Sequence, residues 1–153
     1  MKRAIGVFVI AWMGVAATGS GDGVRIWTNQ DLSTLIKSLS GTGKPSESKT
    51  IGDFGDHSVM VVHREADGQV EVHAEKHDVI IVRDGSGTLV TGGSVIGGKQ
   101  SAPDEIRGER IENGNSARLH TGDVIYIPAK VPHQVLLGKG ETITYEAVKI
   151  EAR

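Results

Sequence analysis

What most limits the folds open to this chain is a series of short aliphatic runs, each shorter than an ordinary helix and each closed by turn residues. The runs lie at residues 57–64, 70–73, 79–82, 88–91, 117–120, 124–127, 133–137 and 142–150. Asp67-Gly68, Asp84-Gly85, Thr121-Gly122-Asp123 and Gly138-Lys139-Gly140 punctuate them as turns. Short strands so spaced suit an all-β jelly roll, and the 21 glycines and sparse aromatics agree with that reading over a helical bundle. The chain of 153 residues is long enough for one domain with a real core.

Before the strands, Leu32, Leu35, Ile36 and Leu39 recur at helical spacing, with Thr28 or Asn29 placed to cap the start. One short N-terminal helix is expected. Residues 40–48 read as loop. Residues 94–115, rich in glycine and charge, read as an irregular loop beside the barrel, with Glu105 to Arg110 as a solvated charged stretch that could cover the barrel mouth.

The chain opens with Met1-Lys2-Arg3, runs apolar from Ala4 to Ala17, and turns to small polar residues at Thr18 to Gly23. That layout reads as a secretory signal over residues 1–19, with the cut expected after Ala17 or Gly19 and a secreted or periplasmic protein without a membrane span as the product; a buried strand or a retained anchor is the alternative. The expected division is then a signal at 1–19, helix and linker at 20–50 and the barrel at 51–153. A net charge of −2 with interspersed signs leaves no basic stripe for phosphates, so nucleic acid is not an expected partner. With no cysteine, any metal site must use nitrogen and oxygen ligands.

Two segments concentrate such ligands. Along an extended strand Glu71 and His73 share one face, and His77 and Asp78 follow after a short link. Downstream, Gly122 to Pro128 forms a strand and turn that deliver His133 to the start of another strand. Imidazole and carboxylate ligands suit Mn, Fe, Co, Ni, Cu or Zn without choosing among them. His73 and His133 lead as ligands, then His77, with Asp78 and Glu71 as competing carboxylates or as groups that orient a ligating imidazole. Tyr126, in step with Val124 and Pro128, is expected to point inward, as a proton donor or as a core tyrosine. His57, His63 and His120 read as structural, and Gln134 should face away from His133.

These residues carry a resemblance to the cupin superfamily. Glu71-x-His73-x4-Asp78-x6-Gly85 is similar to the first cupin motif, G-x5-H-x-H-x3 or x4-E-x6-G. Gly122-x5-Pro128-x-Lys130-x2-His133 is similar to the second, G-x5-P-x-G-x2-H-x3-N, without its middle glycine and final asparagine. Glu71 stands in place of the first histidine and Asp78 in place of the glutamate. The spacing Glu71-x-His73-x3-His77 also resembles cupins whose fourth ligand is histidine.

The resemblance implies a double-stranded β-helix (jelly-roll) cupin barrel and a mononuclear divalent transition metal (Cu, Fe, Mn, Ni or Zn). It also implies a small-molecule or carbohydrate substrate and a homodimer. Its most common activity is oxidative, so the expected function is a secreted oxidoreductase, oxidase or oxygenase acting on a small polar, carbohydrate or phenolic compound, with Glu71 and Tyr126 as candidate catalytic groups. A cupin isomerase or lyase, and a non-catalytic module that binds a small molecule, are the alternatives.

Overall fold

The computed structural model describes residues 18–19 and 23–152. The expected signal segment otherwise lies outside the described residues. Strands β1 (Thr18–Gly19) and β2 (Arg25–Ile26) form a small antiparallel pair. Helix α1 (Asn29–Leu39) follows, and Thr28 caps it: its hydroxyl accepts from the Asp31 backbone N–H while the Asp31 carboxylate accepts from the Thr28 N–H. Leu32 and Leu35 are buried against Val61, with Trp27, Ile36, Leu39 and Ile51 around them, so the helix is held by its apolar stripe.

The barrel is built from β3 (Ser46–Asp53), β4 (His57–Arg64), β5 (Val70–His73), β6 (Lys76–Thr91), β7 (Ser94–Ile96), β8 (Lys99–Ala102), β9 (Glu105–Gly108), β10 (Arg110–Glu112), β11 (Asn115–His120), β12 (Val124–Ile127), β13 (His133–Leu136) and β14 (Ile143–Glu151). The central path runs β3-β4-β14-β6-β13-β5-β9-β8, with β11 and β12 also paired to β6. The 16-residue β6 belongs to two sheets. Its first half pairs with β12 and β14, and its second half with β11 and β13. Two curled antiparallel sheets thus enclose a core of Val62, Ile80, Val82, Leu89, Leu119, Ile127, Val135, Ile143, Tyr145 and Ala147. This is the expected all-β architecture with one short helix.

Three local readings differ. The polar stretch assigned to loop contains the start of β3, an edge strand whose Lys49 to Thr50 are solvent-exposed and which pairs with β4 in register from Ser46 opposite Arg64. Asp84-Gly85 is no hairpin turn. The chain continues through it as strand, and Gly85, at a φ of +80°, supplies a bend where the register with β14 shifts. Residues 94–115 are not an irregular loop: β7 pairs with β10, and β8 pairs with β9, which itself pairs with β5. Glu105 and Arg107 thereby stand opposite His73 and Glu71.

Candidate metal centre

Strand registers bring the site together. His133, at the start of β13, is paired with Glu71 on β5, and on the other sheet Asp78 of β6 is paired with Lys149 of β14. The cavity between the sheets separates these pairs by little. The Asp78 carboxylate lies 3.3 Å from His73 Nε2 and 3.4 Å from His133 Nε2, and a Glu71 oxygen lies 3.4 Å from His73 Nε2. The two imidazoles sit 5.3 Å apart between centroids at a tilt of 55°. His73, Asp78 and His133 are all buried.

The partners of each ring decide what it presents. His133 Nδ1 lies 3.0 Å from the Val131 carbonyl, which only accepts, so Nδ1 carries a proton, while Nε2 faces the Asp78 carboxylate. Lys149 Nζ donates to His73 Nε2 at 2.8 Å and to the two Asp78 oxygens at 3.0 and 3.1 Å. Burial opposes a charged His73, but the Asp78 and Glu71 carboxylates outweigh it and raise its proton affinity above the ordinary value. Burial also pushes Glu71 up. Its contact with His73 and the charges of Arg107, Lys149 and His133 reverse this and hold it at about 2. Asp78, buried beside both histidines and Lys149, is held well below the usual carboxylate range by those hydrogen bonds and that charge.

A shell of charge fixes Glu71. Arg107 Nη1 lies 2.7 Å and Arg64 Nη2 3.3 Å from Glu71 Oε1; Arg107 also pairs with Glu105, and Arg64 Nε donates to the Tyr145 hydroxyl at 2.9 Å. Burial raises the Tyr145 hydroxyl's pKa, keeping it protonated. Beside this cluster lies a cavity of about 360 Å³ walled on its apolar side by Met60, Val62, Ile80, Val135, Tyr145 and Ala147.

Among the expected site residues, Glu71, His73, Asp78 and His133 come together. His77 does not. Its Nδ1 accepts from the Ala129 N–H at 3.1 Å and meets the Tyr126 hydroxyl at 3.0 Å, and its ring stacks on Tyr126 outside the barrel. Tyr126 is 60% exposed, because Ile127 is the buried residue of β12 and the alternation runs opposite to that expected. Neither His77 nor Tyr126 reaches the cavity. Gln134 faces away from His133 as expected, donating to the Gly68 and Glu109 carbonyls.

Lys149, Arg64, Arg107 and Glu105 are site residues that the motif reading passed over. The sequence carried a signal for two of them. Ile143, Tyr145, Ala147 and Lys149 alternate along one strand, as do Met60, Val62 and Arg64, so each cation ends a core-facing series where only a buried partner could hold it.

No protein-family model and no curated protein sequence matches the chain. Solved structures do. A Klebsiella pneumoniae protein with a double-stranded β-helix domain is 16% identical, covering 85% of this chain and 92% of that one at a TM-score of 0.56. A cupin protein from Bacteroides fragilis is 14% identical over 69% and 77% of the two chains, at a TM-score of 0.50. The chain has the cupin fold. The polyketide cyclase RemF from Streptomyces resistomycificus shares this barrel at 18% identity and a TM-score of 0.50, over 70% of this chain but 66% of its own length, just under two thirds. Within this cupin barrel, Glu71, His73 and His133 form a group that could hold a metal ion, their donor atoms all within 4.8 Å of one another.

Proposed function

We propose that this cupin barrel is a metal-dependent oxidoreductase acting on a small molecule taken into the cavity between the two sheets. The observation that carries the reading is the Glu71, His73 and His133 group against that cavity. The donors fit a divalent transition ion: two imidazoles whose Nε2 atoms face the site and an ionised carboxylate, with Asp78 at hand. A bound redox-active ion would exchange electrons with substrate or oxidant, and any divalent ion would polarise a substrate oxygen.

The chain's own residues supply the rest. Arg64 and Arg107 hold the Glu71 carboxylate in place, and Asp78 adds a second buried carboxylate beside both imidazoles. The apolar wall from Met60 to Ala147 receives the hydrocarbon part of a substrate, while Arg107, partly exposed, meets a polar or anionic end. Phenolic or carbohydrate-derived compounds of this size are the proposed substrates. Export after removal of residues 1–19 and pairing into a homodimer belong to the same proposal, on the charged start and apolar run of the chain and on the exposed edge strand β8. The mass of the secreted chain and its sedimentation test them.

The experiment is elemental analysis of purified protein beside His133→Ala, followed by oxygen uptake with phenolic and carbohydrate substrates. About one metal per chain, lost in the variant, with substrate-dependent oxygen uptake is the expected result. Metal without uptake moves the reaction to the isomerase or lyase class. One observation favours a second reading, a metal-free binding module: the Lys149 ammonium already lies among the donors. Absence of metal from both proteins would select it.

A further inference from the structure

Lys149 is placed by the β14–β6 register directly opposite Asp78, and its side chain is only 21% exposed. Its ammonium touches both Asp78 oxygens and His73 Nε2 at 2.8 to 3.1 Å. A neutral imidazole nitrogen has one lone pair. While that of His73 accepts the Lys149 N–H, it cannot ligate a metal, and the other nitrogen, Nδ1, points toward Glu105 at 3.7 Å. Charge adds to the conflict, since an ammonium held at hydrogen-bond distance from these donors repels a divalent ion among them.

We infer that Lys149 is a tethered cation that competes with the metal for His73 and Asp78, so that an ion binds only as the Lys149 ammonium swings out of the donor set. The inference rests on the metal-binding reading above and adds to it a residue that sets the affinity. Lys149 is suited to the part. Its four-carbon stem rotates freely, and the adjoining cavity that it helps to line has the room to take a displaced side chain. With the ammonium in place the buried carboxylates have their counter-charge and the apo barrel is electrostatically complete. With it displaced, His73 Nε2 and Asp78 become available together. Lys149 is in this sense a positioning residue for the metal centre and touches no reacting atom.

The test is calorimetric titration of untagged protein with Zn²⁺ at one fixed pH, comparing wild type, Lys149→Met, Lys149→Gln and Lys149→Arg, each checked for folding by circular dichroism. Gln keeps a hydrogen bond to Asp78 without the charge and serves if Met at that position fails to fold; Arg keeps the charge. Lys149→Met and Lys149→Gln are expected to bind Zn²⁺ about tenfold tighter or more, and Lys149→Arg no tighter than wild type. Adding His133→Ala to Lys149→Met should abolish the gain, which locates the ion in the proposed donor set. Unchanged or weaker affinity in both charge-removed variants, with binding still lost on His133→Ala, would sink the role of Lys149 and leave the metal site standing. No Zn²⁺ binding in any of these proteins, Lys149→Met included, would overturn the metal reading and this inference with it.

Discussion

Lys130 holds a left-handed backbone, with a φ of +69°, at the position where the second cupin motif has glycine. From that conformation its N–H donates to the His73 carbonyl at 2.7 Å, tying the turn that delivers His133 to the strand that carries His73. A side chain there costs about 1–2 kcal/mol, of which glycine's larger unfolded-state entropy would take back about half. Lys130→Gly is therefore expected to stabilise the barrel by about 0.5–1 kcal/mol in urea unfolding. A loss of stability would mean that the Lys130 side chain makes up for its own strain. Glu71 supports a second expectation at this scale. Its pKa falls from the ordinary 4.5 to about 2 in the folded chain, so the stability it contributes is present above about pH 4.5 and drains away as the pH falls toward 2. Asp78, shifted in the same direction, adds to that acid loss, whereas His73, shifted upward, contributes below its ordinary 6.5 and loses its contribution at higher pH. Glu71→Gln leaves Arg64 without its carboxylate and Arg107 with Glu105 alone. It should lower stability at pH 7 by about 2–3 kcal/mol and flatten the decline between pH 4.5 and 2. Unfolding free energies measured across that range would show an unaltered slope if Glu71 were solvated and unpaired.

At the scale of elements, β6 decides the architecture, because one continuous strand serves both sheets and must bend between them. Gly85 makes the bend: a Cβ there would stand 2.1 Å from the Thr142 carbonyl oxygen, at a φ of +80° that side chains rarely adopt. Gly85→Ala should cost about 2–4 kcal/mol, read by chemical denaturation, and wild-type stability in that variant would show that the bend does not depend on glycine. The same strand shows where the sequence was legible. Alternation and turn residues marked the strands 57–64, 70–73 and 124–127 at their observed bounds, and the helix start was narrowed to Thr28 or Asn29, of which Thr28 is the cap. Asp84-Gly85 looked like a hairpin turn because a bulge and a turn draw on the same residues. Strands β3 and β8 were hidden for a different reason. Each lies at the end of the strand path, and its polar residues bury too little for hydrophobic periodicity to register them. For Tyr126 the alternation was read in the wrong phase, since Val124 and Tyr126 are exposed while Ile127 is buried.

Across the whole molecule, the site draws on both sheets. His73, His133 and Glu71 come from one, Asp78 and Lys149 from the other, and the cavity opens between them. Motif spacing named the pieces that lie far apart in the chain, but the charges that complete the cluster come from β4, β9 and β14, whose pairing depends on the closed barrel and is written in no local pattern. Such a centre links metal binding to the stability of the entire fold, because an ion held by His73 and His133 is lost when either strand leaves the barrel. A ligand that binds only the folded state at about 100 times its dissociation constant adds about 2.7 kcal/mol. For a chain of this length that corresponds to a rise in Tm of roughly 5–10 °C. Thermal unfolding in excess Zn²⁺ should show that rise in the wild type and lose it in His133→Ala. The rise should be larger in Lys149→Gln, in which no ammonium has to leave the donors before the ion can bind. A rise of equal size in His133→Ala would place the ion elsewhere, on the exposed His120 or His57, and detach the stabilisation from the barrel's centre.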